Sequence, residues 1–394
     1  MPPSSTSRRL IIPLAVISLL LGGTWFAWKG FFSHFLFIFC YLFAVSMFLS
    51  LRLPRYRPFL YNLSFVFLAL FLFEGYLNLK AFTSGTIQSG NYSGGGYFTA
   101  DPVRGFGAPL RQATYKSTKR RKTGELIYDV TYTIGADGLR VTPVRAERAD
   151  HPAWFFGCSF TIGEGVNDDQ TLPSAYSISS GVQALNFGFH GYGPHQMLRM
   201  LETGYAKDID PRSPSVIFYN AISVHVERSA GLVSWDKDGP KYSLAGDGVA
   251  YTGRFSDGAL LARYLDKILD RSLIYQQVIR PRVFARVDAD MDRYLGIVKR
   301  SADFARDKYS SRLVVVLWDV FGDRSPASDV DSDVIATELA KRGVPVIRVS
   351  EALGREDYKK YYIEGDGHPL PAGYAKVAEL LARQIQPVHS MRSH

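Results

Sequence analysis

The sequence predicts a membrane-anchored α/β protein, with three membrane spans, a β-rich segment and a domain built on a parallel sheet. Three observations lead to this fold class. The first 80 residues contain three long apolar runs, a Gly- and Ser-rich stretch follows them, and short apolar strands alternate with helical patterns from Ala153 onward. Such alternation is typical of a parallel sheet with right-handed crossovers. With 394 residues, the chain is long enough for more than one domain.

The three apolar runs are predicted to be transmembrane helices at about residues 10–28, 31–51 and 58–79. The first two lack charged residues apart from their flanks, and the third carries only Glu74 near its end. Each is long enough to cross a hydrocarbon core about 30 Å thick. Three such runs in succession disfavour buried soluble helices, and the first lacks the cleavage site of a signal peptide. We expect Glu74 to reach the membrane interface rather than to act inside the bilayer.

Basic residues in the short loops predict the orientation. Arg8 and Arg9 precede the first span, Arg55 and Arg57 lie between the second and third, and the first loop has only Lys29. Basic loops stay on the cytoplasmic side. The sequence therefore predicts a multi-pass protein of the inner or plasma membrane, whose residues after the third span are periplasmic or extracellular.

The next segment, residues 81–150, is predicted to be a linker followed by a β-rich region. Residues 83–97 are rich in Gly, Ser and Thr, as in a flexible tether. Alternating apolar and polar residues around Asp137 and Gly138 predict a hairpin that could pack on the later domain. The basic cluster at residues 119–122 is interpreted as a solvated loop, or as one that faces an anionic lipid or polymer.

Residues 151–394 are predicted to form the α/β domain, and residues 1–80 the membrane anchor. Strands are predicted at residues 153–156, 182–187, 216–220, 313–317 and 344–349, and helices at residues 196–205, 334–341 and 373–385. An insertion is expected at about residues 229–300. Its first part, residues 231–258, is interpreted as a loop. Its amphipathic continuation, residues 259–309, is broken at residues 280–282; we favour a helix pair covering the sheet over a lid or a membrane-facing surface.

Ser159 is the first candidate for chemistry. It follows a predicted buried strand that ends at Gly157, and a Gly-rich turn with Gly163 and Gly165 follows it. Open α/β sheets place ligands at the carboxyl ends of their strands, and the N–H groups after such a turn can receive an oxyanion. The alternative is a serine that only caps a helix.

A serine hydroxyl needs a base, and the segment before the last predicted helix offers one. His368 could remove the proton from Ser159, and Asp366 could orient the imidazole and stabilise its charged form. The alternative is an aspartate at a helix start beside a solvated histidine. Other histidines, His190 and His195 among them, are interpreted as surface or packing residues, and we expect no metal and no cofactor.

Three segments together resemble a known family. GCSFTIGEG, NFGFHGYG and DGHPLPAGY are similar, in this order, to blocks I, II and V of the SGNH/GDSL hydrolase superfamily. The resemblance covers about residues 150–390 and implies a flavodoxin-like three-layer α/β/α fold with sheet order 2-1-3-4-5. It also implies Ser159 as nucleophile, His368 as base and Asp366 as its partner. The N–H groups of Ser159 and Gly191 would form the oxyanion hole.

The chain departs from the family pattern at three places. Cys158 replaces the aspartate before the serine. Gly365 occupies the usual position of the aspartate three residues before the histidine, so Asp366 is two residues before it and Glu364 is a fallback partner. The Gly-x-Asn-Asp of block III is missing. The alternatives for its oxyanion donor are Ser223, Asn220 and His225, of which Ser223 or His225 is favoured.

These observations predict a membrane-anchored, outward-facing serine esterase or O-acyltransferase that acts on an ester of envelope glycan or lipid. Its expected partners are the lipid bilayer and an acyl-ester or carbohydrate substrate. The formal net charge of +9 is scattered, which disfavours a nucleic-acid partner. A second hypothesis is a degenerate domain that binds polysaccharide or scaffolds an envelope-assembly complex. A third, a small transporter or assembly subunit, is disfavoured because the spans contain a single charged residue.

Overall fold

A computed structural model describes residues 18, 20–22, 24–25, 33–83, 91–93, 95–121, 123–143, 148–257, 265, 268–283, 287–320 and 330–385. The chain divides into two compact units. The first comprises residues 1–86 and 259–285, and the second comprises residues 87–258 and 286–394. The chain therefore passes between the units three times.

Among the described residues, the α-helices in chain order are α1 (His34–Arg52), α2 (Arg57–Thr83), α3 (Ser159–Ile162), α4 (Leu172–Ser180), α5 (Pro194–Glu202), α6 (Tyr205–Ile209), α7 (His225–Ser229), α8 (Arg280–Val283), α9 (Asp288–Tyr309), α10 (Ser332–Lys341), α11 (Ser350–Leu353) and α12 (Pro371–Gln384). The strands are β1 (Asn91–Tyr92), β2 (Thr99–Asp101), β3 (Gly105–Gly107), β4 (Ala113–Arg120), β5 (Leu126–Ile134), β6 (Arg148–Gly157), β7 (Val182–Asn186), β8 (Val216–Ala221), β9 (Pro240–Ala245), β10 (Gly248–Arg254), β11 (Leu313–Leu317) and β12 (Val346–Arg348). Short 3-10 helices cover Pro54–Tyr56, Asp168–Gln170, Ser234–Asp236 and Tyr358–Tyr361, and Tyr275–Ile279 is π-helical.

In the first unit, α1 and α2 pack against each other as a helical hairpin. Both are long and apolar enough to cross a membrane. They correspond to the second and third predicted spans. Most of the first predicted span, residues 10–28, lies outside the described residues, so that span stays a prediction.

The second unit contains a five-stranded parallel sheet in the order β12-β11-β8-β6-β7. Counted along the chain, these strands give the predicted order 2-1-3-4-5. Apolar side chains alternate between the two faces of β6: Trp154 and Phe156 enter one core, and Phe155 enters the other. Buried strands of a parallel sheet need cover on both faces, which explains this pattern.

Helices cover both faces of the sheet and complete three layers. Tyr294 and Val298 of α9 join Met197 of α5 in the core beside Trp154. Tyr374 of α12 joins Tyr176 of α4 and other residues in the opposite core, the one that contains Phe155. The predicted α/β/α arrangement is therefore present, and it brings the carboxyl ends of β6 and β8 to one edge of the sheet.

The β-rich segment belongs to the second unit. β4 and β5 form a long antiparallel hairpin, and β1 pairs with the outer edge of β4. The predicted turn at Asp137 and Gly138 exists, but the chain after it forms only a short bridge between Ile134 and Arg140. Arg140 also bridges to Asn186 of β7, so this segment extends the edge of the parallel sheet.

Two predictions for the insertion were wrong. Residues 231–258 contain the antiparallel β9–β10 hairpin rather than only a loop. Tyr242 of β9 and Val249 of β10 are buried in a small apolar cluster, which holds the hairpin in place. Helix α9, the last part of the amphipathic region, packs against the sheet. Residues 259–285, the first part of that region, belong to the first unit instead.

Candidate active site

The nucleophile turn lies at the carboxyl end of β6. Gly157 has φ +146°, and a Cβ on it would clash with Oγ1 of Thr161 and lie 2.9 Å from the backbone oxygen of Asn220. Only glycine therefore fits this close approach of chain segments. The turn starts α3 at Ser159, whose side chain is only slightly exposed.

Ser159, His368 and Asp366 form a continuous chain of hydrogen bonds. Oγ of Ser159 lies 2.7 Å from Nε2 of His368, and Nδ1 of His368 lies 2.6 Å from Oδ2 of Asp366. An ionised carboxylate can only accept, so Nδ1 carries the imidazole proton. Nε2 is then free to accept the hydroxyl proton of Ser159. The structure thus brings the three predicted residues together in the geometry of a nucleophile, a base and an orienting acid.

The loop before α12 explains how an aspartate two residues from the histidine can orient it. Gly365 and Gly367 both have left-handed backbone angles, with φ +75° and +88°. These turns let the Asp366 carboxylate fold back on the N–H and the imidazole of His368. Glu364, the fallback partner, is almost fully exposed and lies near Arg121 instead. It does not contact the imidazole.

A second carboxylate, Glu164, lies on the serine side of the imidazole. Its Oε2 is 3.7 Å from Nε2 of His368, and its Oε1 is 3.5 Å from Nζ of Lys119. Lys119 also forms an ion pair with Asp366. One ammonium group therefore contacts both carboxylates. The interpretation of residues 119–122 as a solvated loop was wrong for Lys119, whose side chain is mostly buried on β4.

His190 joins this cluster from the loop after β7. Its Nδ1 is 2.9 Å from Oε2 of Glu164, and its Nε2 is 3.0 Å from the hydroxyl of Tyr97. Burial raises the pKa of Tyr97, so this hydroxyl stays protonated and donates to Nε2. His190 is therefore a buried partner of Glu164 rather than a surface residue. His195, in contrast, is buried against Asp236 and does not reach this cluster.

The charges of the cluster shift several pKa values. Burial opposes protonation of His368, but the carboxylates of Glu164 and Asp366 outweigh burial and raise its pKa. Burial would also raise the pKa of both carboxyl groups. For Glu164, the charges of His368, His190 and Lys119 and the hydrogen bond from His190 outweigh burial. The pKa of Glu164 therefore lies well below its usual value. For Asp366, the hydrogen bonds from His368 and Lys119 keep the pKa low.

Arg140 fixes the Gly-rich segment after the nucleophile. Its fully buried guanidinium donates to the backbone oxygens of Ile162, Gly163 and Val166 at 2.7 Å each, and to Asp168 at 2.8 Å. Several charge-assisted hydrogen bonds from one planar group hold a loop in a single geometry. This clamp also holds the segment that carries Glu164.

The candidate oxyanion donors are placed differently. Gly191 has φ +75°, and a Cβ there would lie 2.6 Å from Trp235, so this turn requires glycine. Asn220 is buried at the end of β8; its Oδ1 accepts from Trp318, and its Nδ2 has no partner among the described residues. His225 is buried with Nδ1 against the hydroxyl of Tyr219. Burial holds the pKa of His225 well below its usual value. Ser223 is half-buried in the turn after β8.

Glu164, Asp366 and His368 also have the spacing of a metal site, since their donor atoms lie within 4.8 Å of one another. These donors already have protein partners. Lys119 contacts both carboxylates, and the imidazole bonds Ser159 and Asp366. A cation would have to displace an ammonium group from the same position. The donor set therefore fits proton transfer better than metal binding.

A cavity of about 930 Å³ borders the loop that carries Asp366. Tyrosines and charged residues line it, among them Tyr358, Tyr362, Lys359 and Arg121, whereas Ser159 and His368 do not. The cavity thus lies next to the triad on the side of its aspartate.

Comparisons with known proteins give structural neighbours but no sequence relatives. No family model and no curated protein matches this chain. A protein of the G-D-S-L family from Desulfitobacterium hafniense is 11% identical, with 59% of this chain and 99% of that chain covered and a TM-score of 0.36. A member of the lipolytic protein G-D-S-L family from Veillonella parvula is 14% identical, with 61% and 99% covered and a TM-score of 0.35.

A carbohydrate esterase family 2 enzyme with a carbohydrate-binding domain, from Corynascus thermopiles (Myceliophthora fergusii), is also similar. It is 14% identical, with 68% of this chain and 75% of that chain covered and a TM-score of 0.34. Since these TM-scores lie below 0.5, the functional proposal rests on the geometry of the site itself.

Four residues of the site were missed from the sequence: Lys119, Arg140, Glu164 and His190. A signal existed for Glu164, which stands between two glycines directly after the nucleophile turn, and for His190, which lies inside the second family-like segment. Lys119 and Arg140 gave none, because only the pairing of the β-rich segment with the sheet brings them to the site.

Proposed function

We propose that this protein is a membrane-anchored, outward-facing serine esterase or O-acyltransferase of the SGNH type. The observation that carries the proposal is the hydrogen-bonded chain from Ser159 through His368 to Asp366. A strand-end serine with a base and an orienting carboxylate is the arrangement that acyl transfer requires. The two apolar helices and the basic residues between them support the anchor and its orientation.

In the proposed reaction, the Ser159 hydroxyl attacks the carbonyl carbon of an ester while His368 takes its proton. The tetrahedral oxyanion is received by the N–H groups of Ser159 and Gly191, with Ser223, Asn220 or His225 as the third donor. His368 then gives its proton to the leaving alcohol, and an acyl-enzyme forms. Water or a sugar hydroxyl, deprotonated by the same imidazole, attacks the acyl-enzyme and releases Ser159.

The charges around His368 support this cycle. At rest, Glu164 and Asp366 carry two negative charges and Lys119 carries one positive charge, while the imidazole is neutral. When the imidazole takes the serine proton, the net charge of these four groups becomes zero. The cluster therefore favours the imidazolium that forms in the transition state.

The substrate we propose is an ester of envelope glycan or lipid. An outward-facing domain on a membrane anchor encounters such esters, and the cavity beside Asp366 has tyrosine rings suited to a carbohydrate. Hydrolysis and acyl transfer use the same residues, and the acceptor that reaches the acyl-enzyme decides between them.

Labelling with a fluorophosphonate tests the proposal. We expect the full-length protein in detergent to be labelled on Ser159, and the Ser159→Ala variant to show no labelling. Ser243→Ala, in the β9–β10 hairpin, is the matched control and should be labelled like the unchanged protein. Absent labelling of the unchanged protein, or equal labelling of Ser159→Ala, would contradict the proposal.

The missing block III motif favours a second candidate, a domain that binds polysaccharide without turning it over. In that case, binding of an acetylated glycan should survive Ser159→Ala, and the unchanged protein should release no acetate from it. Acetate release that depends on Ser159 decides for the enzyme.

A further inference from the structure

Glu74 of α2 is a buried carboxylate with an unusual set of partners. Its oxygens accept hydrogen bonds from the hydroxyl of Ser33 at 2.5 Å and the hydroxyl of Ser272 at 3.0 Å. They also accept from the backbone N–H groups of Leu273 at 2.7 Å and Ile274 at 3.0 Å. The carboxylate is fully buried among protein groups. Its expected place at the membrane interface stays a prediction.

These contacts connect distant parts of the first unit. Ser33 begins α1, and Asn78 of α2 donates to its hydroxyl and accepts from its N–H. Ser272 precedes a helical stretch that continues through the π-helical turn and α8. Glu74 therefore satisfies the first N–H groups of a helix that returns to the membrane hairpin from the middle of the chain.

The position of Glu74 along α2 locates this contact in depth. Glu74 lies about 25 Å along the helix axis from Arg57, by the rise of an α-helix. The hydrocarbon core is about 30 Å thick, and Arg57 belongs to the predicted cytoplasmic loop. In the proposed topology, residues 272–274 therefore lie near the outer boundary of the hydrocarbon. Free N–H groups are costly at that depth, and Glu74 removes this cost.

The returning segment, residues 268–283, also exposes apolar side chains next to basic ones. Its exposed large apolar residues are Ile268, Leu269, Ile279 and Val283. Arg271 and Arg282 are exposed beside them. Apolar side chains with flanking arginines are typical of helices that lie in the interface of an anionic membrane.

We propose that residues 268–283 form an interfacial membrane element, which lies in the outer headgroup boundary of the same bilayer that α1 and α2 cross and is held to α2 by Glu74. Its partner is the lipid surface. The inference rests on the membrane anchor of the proposed function but not on its chemistry. Continuity with α2 through the hydrogen bonds of Glu74 identifies the bilayer, rather than a protein, as the occupant of the apolar surface.

Lipid photo-crosslinking tests this proposal in the full-length protein, reconstituted in vesicles of phosphatidylethanolamine and phosphatidylglycerol. A benzoylphenylalanine is placed at Val283, at Leu72 of α2 as a membrane reference, or at Leu244 of the β9–β10 hairpin as an exposed apolar control. We expect lipid adducts at Val283 with a yield close to that at Leu72 and well above that at Leu244. A yield at Val283 equal to that at Leu244, with strong adducts at Leu72, would overturn the interfacial element alone. Absent adducts at Leu72 would overturn the membrane anchor, and the interfacial element with it.

Glu74→Ala tests the attachment. We expect the adduct at Val283 to fall toward the Leu244 level while the adduct at Leu72 stays, which also shows that the hairpin remains inserted. Glu74→Gln, which keeps an acceptor oxygen, should lose less. Unchanged adducts at Val283 in Glu74→Ala would overturn the role of Glu74. Ser159→Ala should leave each yield unchanged, which separates this test from that of the enzyme.

Discussion

Both units of the molecule bury carboxylates, but the partners of these groups differ in kind. Glu74, in the first unit, accepts only from neutral donors among the described residues, namely serine hydroxyls and backbone N–H groups. Asp366 and Glu164, in the second, contact ionisable groups: His368 and Lys119. A neutral donor holds a carboxylate in place and keeps its own proton. An imidazole beside a carboxylate can gain a proton.

The neighbours of a buried acid, rather than its burial, therefore indicate its role. Burial alone does not mark a catalytic group, since Glu74 is buried at least as completely as Asp366. A partner whose charge can change near neutral pH, and which also contacts a nucleophile as His368 contacts Ser159, does mark one. Three pairs of variants test this distinction, and they are described in decreasing order of the expected effect.

The largest effect is expected from removing the charge of Asp366, with removal of the charge of Glu74 as the comparison. Asp366→Asn should lower kcat/KM for an activated ester by about 10⁴, because the amide cannot stabilise the imidazolium and favours the wrong tautomer. Glu74→Gln should leave kcat/KM in detergent unchanged. Initial rates with a nitrophenyl ester check both variants, and their thermal transitions check that both are folded. A folded Glu74→Gln with an equal loss would remove the distinction.

A smaller effect is expected from removing the cation that the two acids share. Lys119→Met leaves two buried carboxylates without their ammonium partner and should destabilise the protein by about 3 kcal/mol. Lys116→Met is the matched control on the same strand, because Lys116 pairs with Asp129 in an exposed position. It should change stability by less than about 0.5 kcal/mol. Denaturant unfolding of both variants measures the difference, and equal midpoints would show that the shared cation is dispensable.

The smallest effect concerns pH. His368 accepts the serine proton only when neutral, and Glu164 and Asp366 raise its pKa against the effect of burial and Lys119. We therefore expect kcat/KM to fall as the pH drops through a value above 6.5, the ordinary value for histidine. Glu164→Gln removes one of the charges that raise this pKa, so the acidic limb should move to lower pH. Glu125→Gln, an exposed partner of Arg121, should leave the limb in place. An acidic limb that stays fixed in Glu164→Gln would show that this acid does not act on the imidazole.

Much of the second unit could be predicted because its strands are apolar runs at the core of a parallel sheet. Leu313–Leu317 has the predicted bounds, whereas β6 is longer than residues 153–156, since its first residues include charged ones that apolarity does not mark. The β9–β10 hairpin was missed because the glycines and aspartates in this region favoured a loop interpretation. Tyr242 and Val249 are apolar residues at buried positions of the two strands, with more exposed residues on either side.

The residues of the candidate site likewise fall into a group that the sequence predicts and a group that it does not. Ser159, Asp366 and His368 lie in local turns whose glycines are visible in the sequence. Lys119 and Arg140 depend on which strands pair, and that pairing is set by packing over the whole unit. The partners of Glu74 in residues 272–274 lie up to 200 residues further along the chain. No local pattern in the sequence could predict a contact over that separation.

For a protein anchored as proposed, the three passages of the chain between the units have a consequence for proteolytic release. A single cut between α2 and β1 would sever the covalent link to α2, yet the segment held by Glu74 would keep the cut protein on the membrane. Shedding of the second unit would need further cuts on both sides of that segment. Loss of the Glu74 contact would instead make one cut sufficient.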